Sequence, residues 1–132
     1  MIVSFEKNFS AAHFYNQPQW STERNQETFG LCYSEYGHGH NYKWRAYFAV
    51  PHSDSALLKG LDACMQSLTD QLEHKHLNFE IELFKKQIPT TENIALFLAN
   101  SLAETKAQWA PEVQLIKVTL FESETIGAEV LL

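Results

Sequence analysis

The sequence predicts an α+β fold in the order ββααββ, a four-stranded antiparallel sheet with two helices on one face. Three observations predict it. Apolar residues alternate with polar ones at both ends of the chain, the period-two signature of half-buried strands. Between those ends, apolar residues recur at three- and four-residue spacing, which marks amphipathic helices. The strands also come as neighbours in sequence, as hairpins do, which favours antiparallel pairing with the helices gathered on one side.

Residues 2 to 15 read as the first strand, with Val3, Phe5, Phe9 and Ala11 on one face and His13 in phase with them. Residues 16 to 36 are polar and turn-rich (Asn16, Pro18, Ser21, Asn25, Gly30), a long excursion of the kind that carries function or mobility. Residues 38 to 50 are the clearest strand: His38, His40, Tyr42, Trp44, Ala46, Phe48 and Val50 share one face, while Asn41, Lys43, Arg45 and Tyr47 take the other. Leu57, Leu58, Leu61, Met65, Leu68 and Leu72 then define a helix over residues 55 to 73, its first turn weakened by Gly60. Pro89-Thr90-Thr91-Glu92-Asn93 starts a second helix, since a Thr can cap and Glu92 suits the positive N-terminus. Ile94, Phe97, Leu98 and Leu102 carry it to residue 107. After Pro111, Ile116, Val118, Leu120 and Glu122 alternate with Lys117, Thr119 and Phe121, and Gly127 lies in or near the turn to the last strand.

At 132 residues the chain is expected to be one domain, residues 1 to 132, with 45% hydrophobic and 13% aromatic residues to build a core. The net charge of −6, from 10 Lys and Arg against 16 acidic residues without a basic cluster, disfavours a nucleic-acid partner. No apolar run approaches the roughly 18 residues of a membrane span. The start, Met1-Ile2-Val3-Ser4-Phe5-Glu6, has neither the basic nor the apolar region of a signal peptide, so a cytoplasmic location is expected. Asn8-Phe9-Ser10 then matches a glycosylation sequon by chance. Both cysteines should be reduced there. Cys64, among Leu61, Met65 and Leu68, reads as an inert buried thiol. Cys32 has charged and metal-binding neighbours that favour the thiolate.

The chemistry concentrates in Cys32-Tyr33-Ser34-Glu35-Tyr36-Gly37-His38-Gly39-His40-Asn41. His38 and His40 are two apart on a strand, so both imidazoles point to the same face and can grip one metal ion. His13 is the candidate third ligand, and three neutral imidazoles with a free fourth position form the catalytic zinc pattern. His52 reads as solvated, and His74 and His76 sit in a polar stretch near a helix end. Glu122 ends an apolar strand face. Either the strand has reached solvent there, or the carboxylate anchors a ligand carrying a pair of N–H donors.

Five motifs then fall in order: Phe9-Ser10-Ala11-Ala12-His13; Cys32 with His38-Gly39-His40-Asn41-Tyr42; Leu72-Glu73-His74-Lys75-His76-Leu77-Asn78; Pro89-Thr90-Thr91-Glu92-Asn93; and Phe121-Glu122. With them, nearly the whole chain resembles the 6-pyruvoyl- and 6-carboxy-tetrahydropterin synthase superfamily of the tunnelling fold. The resemblance implies a zinc-dependent lyase acting on 7,8-dihydroneopterin triphosphate. Zn2+ would be held by His13, His38 and His40, with Cys32 as general base and His74 in a proton relay with Glu73. Glu122 would take the guanidine-like edge of the pterin, helped by Thr91 and Glu92. It also implies a homo-oligomer, a trimer or hexamer whose subunits close a barrel and share sites between them. The expected product is 6-carboxy-tetrahydropterin, towards queuosine, or 6-pyruvoyl-tetrahydropterin.

Two departures from the family pattern matter. The relay acid is Glu73 where the family has Asp. Glu35 satisfies the Glu-x-x-His-Gly-His pattern of members that cleave the same substrate to 6-hydroxymethyl-dihydropterin for folate, yet Cys32 is present too. Glu35 as an alternative base, Glu35 as a solvated loop residue, a non-catalytic zinc and pterin binder, and a structural zinc site all stay open. For the triphosphate, the candidate cations are Arg24, Lys43, Arg45 and Lys75.

Overall fold

A computed structural model describes residues 1–132. Two long strands, β1 (Ile2–His13) and β2 (His38–Ala49), form an antiparallel ribbon that runs from Ile2 opposite Ala49 to His13 opposite His38. The alternation predicted for β2 holds, because Tyr42, Trp44, Ala46 and Phe48 are all buried while Asn41, Lys43 and Arg45 are exposed. Between β1 and β2 lies α1 (Thr22–Phe29). After β2 come α2 (Ser55–Leu72), β3 (Lys75–His76), the single turn α3 (Leu77–Glu80), α4 (Thr91–Ala107), β4 (Gln114–Phe121) and β5 (Gly127–Leu131). The sheet order is β3-β1-β2-β4-β5.

Helices α2 and α4 contribute Leu61, Met65, Leu72, Ile94, Leu98 and Leu102 to one cluster of 24 buried residues shared with the sheet. Both helices are capped, α4 as its sequence suggests and α2 by Asp54, which the sequence reading did not single out. Asp54 accepts from the Leu57 amide at 2.9 Å and Thr90 from the Asn93 amide at 3.3 Å, each satisfying one of the N–H groups that a helix start leaves unpaired. Trp44, fully buried, donates its indole N–H to Thr69 Oγ1 at 3.0 Å, and the Thr69 hydroxyl donates to the Met65 carbonyl at 2.8 Å. That chain of donors fixes the rotation of α2 against β2.

The structure adds to and corrects the sequence reading in four places. First, the excursion contains α1, whose N-cap Ser21 accepts from the Arg24 amide at 3.1 Å. Its one buried residue is Asn25, which accepts from the Gln17 amide and donates to the carbonyls of Gln17 and Ser21. No apolar stripe announces such a helix. Second, a fifth strand, β3, pairs in parallel with Ala11 and Ala12 of β1, and two residues are too few to show a period. Third, Tyr47 faces Lys117 but Phe48 faces Leu115, so Ile116 is the extra residue of a β-bulge. The core face of β4 is therefore Leu115, Val118 and Leu120, with Ile116 half-exposed rather than in phase with them. Fourth, Cys64 is only half-buried and accepts from the Trp109 indole N–H at 3.2 Å. No helix is long and apolar enough to cross a membrane.

Thr69→Val should leave the buried Trp44 N–H without an acceptor at almost unchanged volume. The expected loss is about 1–3 kcal/mol, read from urea unfolding at one fixed protein concentration. An unchanged midpoint would show that the indole finds another acceptor.

Candidate functional site

The β1–β2 register brings the histidines together. His13 is paired directly with His38 and Ala11 with His40, and all three imidazoles project from the face that carries Phe9 and Tyr42. The rings form a near-equilateral triangle, with centroids 4.7 Å apart for His13 and His38, 5.0 Å for His13 and His40, and 4.9 Å for His38 and His40. One ligand atom from each lies within 4.8 Å of the others.

The protonation of His13 and His38 suits a cation. His13, 1% exposed, has its Nδ1 2.8 Å from the Pro89 carbonyl, which can only accept, so the hydrogen is on Nδ1 and the lone pair on Nε2. That Nε2 lies 3.0 Å from Nε2 of His38. Burial lowers the His13 pKa to about 4, with His38 and His40 pushing the same way against the Pro89 bond and the Glu122 charge. His38 is lowered as well, first by burial and then by His40. Neutral imidazoles are the form that binds metal. The His38 Nδ1 is buried without a partner, a cost that a polar ligand or ion would remove.

The donor set fits zinc. Zn–N bonds of about 2.0–2.1 Å in tetrahedral geometry place nitrogens about 3.3 Å apart, close to the His13–His38 spacing. No thiolate or carboxylate belongs to the cluster. Three nitrogens alone would leave a position for substrate or water.

Cys32 ends a 3₁₀ turn over Gly30–Cys32, and its carbonyl accepts the Tyr15 amide at 2.9 Å, which ties the excursion to the end of β1. Burial and the Glu122 charge push the thiol upward, opposite to the lowering expected from its neighbours in sequence. A cation on the three histidines would act against both causes. Glu122 sits one residue past β4, half-buried, and accepts from the Thr91 hydroxyl at 2.7 Å. Thr91 opens α4 and is 4% exposed, whereas Glu92 beside it is exposed.

Glu73 and His74 come from a different part of the chain. They follow α2, with Glu73 Oε1 3.0 Å from His74 Nε2 and 3.4 Å from the Ser10 amide that donates to it. His74 adopts φ +57, and its amide donates to the Ser10 carbonyl at 2.7 Å. It faces a cleft lined by Ser10, Gly39, His40 and Asn41. Cys32 is not part of that cleft. Glu35 is exposed in the turn before β2, in a groove with Phe14, Thr22, Gln26 and Tyr33. Of the cations singled out for triphosphate, Arg45 pairs with Glu6, Lys75 with Glu80, and Arg24 lies over the Trp20 ring. Lys43 carries no ion pair and lines a cleft with His40, Ser123 and Glu122.

Sequence reasoning missed two members of the site. Tyr15 sets its ring edge-on to His13, with centroids 5.2 Å apart. Its phenol is pushed up to about 12 by burial, followed by Glu122 and Cys32. Its phase with His13 along the chain was the available signal. The Pro89 carbonyl is a backbone group from a distant loop and leaves no trace in side-chain pattern.

The family model described as 6-pyruvoyl tetrahydropterin synthase matches residues 2–131. A Caenorhabditis elegans relative, provisionally named as a 6-pyruvoyl tetrahydrobiopterin synthase, is 35% identical over 128 residues, 92% of this chain and 89% of its own. The Homo sapiens 6-pyruvoyl tetrahydrobiopterin synthase is 28% identical over 130 residues, 92% of this chain and 85% of its own. The solved structure of the C. elegans 6-pyruvoyl tetrahydropterin synthase superposes with a TM-score of 0.82 at 32% identity, covering 99% of this chain and 96% of that one. This chain belongs to the 6-pyruvoyl tetrahydropterin synthase family and has its tunnelling fold.

Proposed function

We propose that the chain is a zinc-dependent lyase that converts 7,8-dihydroneopterin triphosphate to 6-pyruvoyl-tetrahydropterin with release of triphosphate. The observation that carries this reading is three imidazoles with ligand atoms within 4.8 Å of one another, one of which, His40, lines a cleft with Glu122, the acceptor of the Thr91 hydroxyl. Family membership supports a tetrahydropterin synthase activity. The names of the curated relatives favour the pyruvoyl product over the carboxy product of the queuosine route.

His13, His38 and His40 would hold the zinc, which supplies Lewis-acid polarisation of side-chain oxygens on the substrate. Glu122, held by the Thr91 hydroxyl, accepts hydrogen bonds from the guanidine-like edge of the pterin, and Glu92 stands at the same helix start. Cys32 takes a proton from the side chain as its C–O bond to triphosphate is lost. The hydrogens that leave the side chain are taken up by the ring, so no external oxidant or reductant is required. His74, oriented by Glu73, returns protons. Because His74 opens onto a cleft apart from Cys32, this reading has the relay of one copy serve the thiol of a neighbour, in a trimeric or hexameric barrel.

Metal analysis should find roughly one zinc per wild-type chain and little in His38→Ala, with far-UV dichroism preserved in the variant and after chelation. Unfolding on chelation would make the zinc structural instead. Mass spectrometry after incubating zinc-loaded protein with 7,8-dihydroneopterin triphosphate should find 6-pyruvoyl-tetrahydropterin. A carboxy-tetrahydropterin would move the chain to the queuosine route, and 6-hydroxymethyl-dihydropterin would make Glu35 the working base. An unchanged pterin would leave binding without turnover. Cys32→Ala should lower turnover by about 10²-fold or more, the usual contribution of a general base. Full activity in that variant would refute the thiol's role.

A further inference from the structure

The histidine cluster rests on a buried group that its ligand set does not account for. Tyr42, on β2 and in phase with His40, is wholly excluded from solvent. Its ring stacks on Phe9 with centroids 4.9 Å apart and planes 16° from parallel, and it meets His40 at 5.6 Å and His13 at 6.1 Å edge-on. Its hydroxyl finds Nδ1 of His13 at 3.2 Å. Burying a hydroxyl costs free energy unless it is bonded, so a position that needed only an aromatic filler would be better served by Phe.

The Pro89 carbonyl, 2.8 Å from the same nitrogen, decides the direction of that contact. Two acceptor oxygens now converge on one N–H, with Pro89 the closer and Tyr42 Oη the second arm of the fork. The opposite tautomer would set a bare nitrogen against the lone pairs of the carbonyl. With the hydrogen on Nδ1, the free lone pair of His13 is on Nε2, on the side where His38 stands 3.0 Å away.

We propose that Tyr42 is a positioning residue for the metal centre: its hydroxyl, with the Pro89 carbonyl, locks the His13 ring so that Nε2 faces the cation. This rests on the zinc reading above. The stack on Phe9 holds the phenol in place, and the register of β2 delivers it behind two of the three ligands at once. Acceptors on the outer N–H of a ligating imidazole fix its orientation and raise its basicity, and their loss typically weakens metal binding by about 10- to 100-fold.

Tyr42→Phe removes one oxygen and keeps the ring, while Phe9→Leu removes the stack and keeps the hydroxyl. Zinc affinity by chelator competition, the thermal midpoint of the metal-free proteins, and 15N NMR of the His13 tautomer in the metal-free wild type separate the roles. The expected result is zinc binding weakened about tenfold in Tyr42→Phe, with a midpoint close to wild type and His13 in the Nδ1–H form. Phe9→Leu should lower the midpoint and leave zinc affinity closer to that of the wild type. Wild-type zinc affinity in Tyr42→Phe, or His13 in the Nε2–H form, would overturn the positioning role. Failure of the wild type itself to bind zinc would overturn the metal reading, and this one with it.

Discussion

The pairing register of β1 with β2 is the constraint on which the rest depends. Side chains alternate across a strand, so a slip of one residue would send every core residue of β2 to solvent and turn His38 and His40 away from His13. Two features hold the register against such a slip. On one face, Phe9 and Ala11 of β1 and Tyr42, Trp44, Ala46 and Phe48 of β2 are all buried against α2 and α4. On the other, Arg45 meets its directly paired residue Glu6 at 2.6 Å. The exposed ion pair adds little energy, but it is satisfied only in this alignment. The clustering of the three histidines is thus a by-product of core packing carried to the end of the ribbon.

Packing of that kind leaves an electrostatic problem at the ribbon's end. Burial drives protons from two of the three imidazoles, His13 and His38, and Glu122 brings a negative charge close enough to act on both of them and on Cys32. The lone pairs of His13 and His38, a protonated thiol and a carboxylate make this end of the ribbon electron-rich. A divalent cation answers each of these tendencies at once, because it uses the lone pairs, offsets the carboxylate and favours the thiolate.

Elements with a strong period were legible in the sequence. β2 and α2 were, since their apolar residues recur at two and at three to four positions respectively. α4 was bounded by its cap, because Pro89 and Thr90 encode a helix start in local backbone chemistry. Helix α1 was not, because it buries one asparagine rather than a stripe, and β3 was not, because two residues carry no period. Ile116 misled because a bulge shifts phase within an otherwise regular strand, and only the partner strand reveals it. In the site, His38 and His40 could be paired from spacing alone. His13 could only be nominated, since its approach depends on strand pairing rather than on sequence distance.

By itself, the sequence determined the periodic elements, the start of α4 and the types of residue available for chemistry, together with a family likeness that its motif order made specific. These are local properties, set by side-chain alternation, capping and composition. Only the tertiary structure decided which residues meet: His13 with His38 across the ladder, the Pro89 carbonyl on the far nitrogen of His13, Thr91 on Glu122, and His74 in a cleft apart from Cys32. Such contacts join residues far apart along the chain. Their geometry follows from how strands register and helices pack, which no local window of sequence contains.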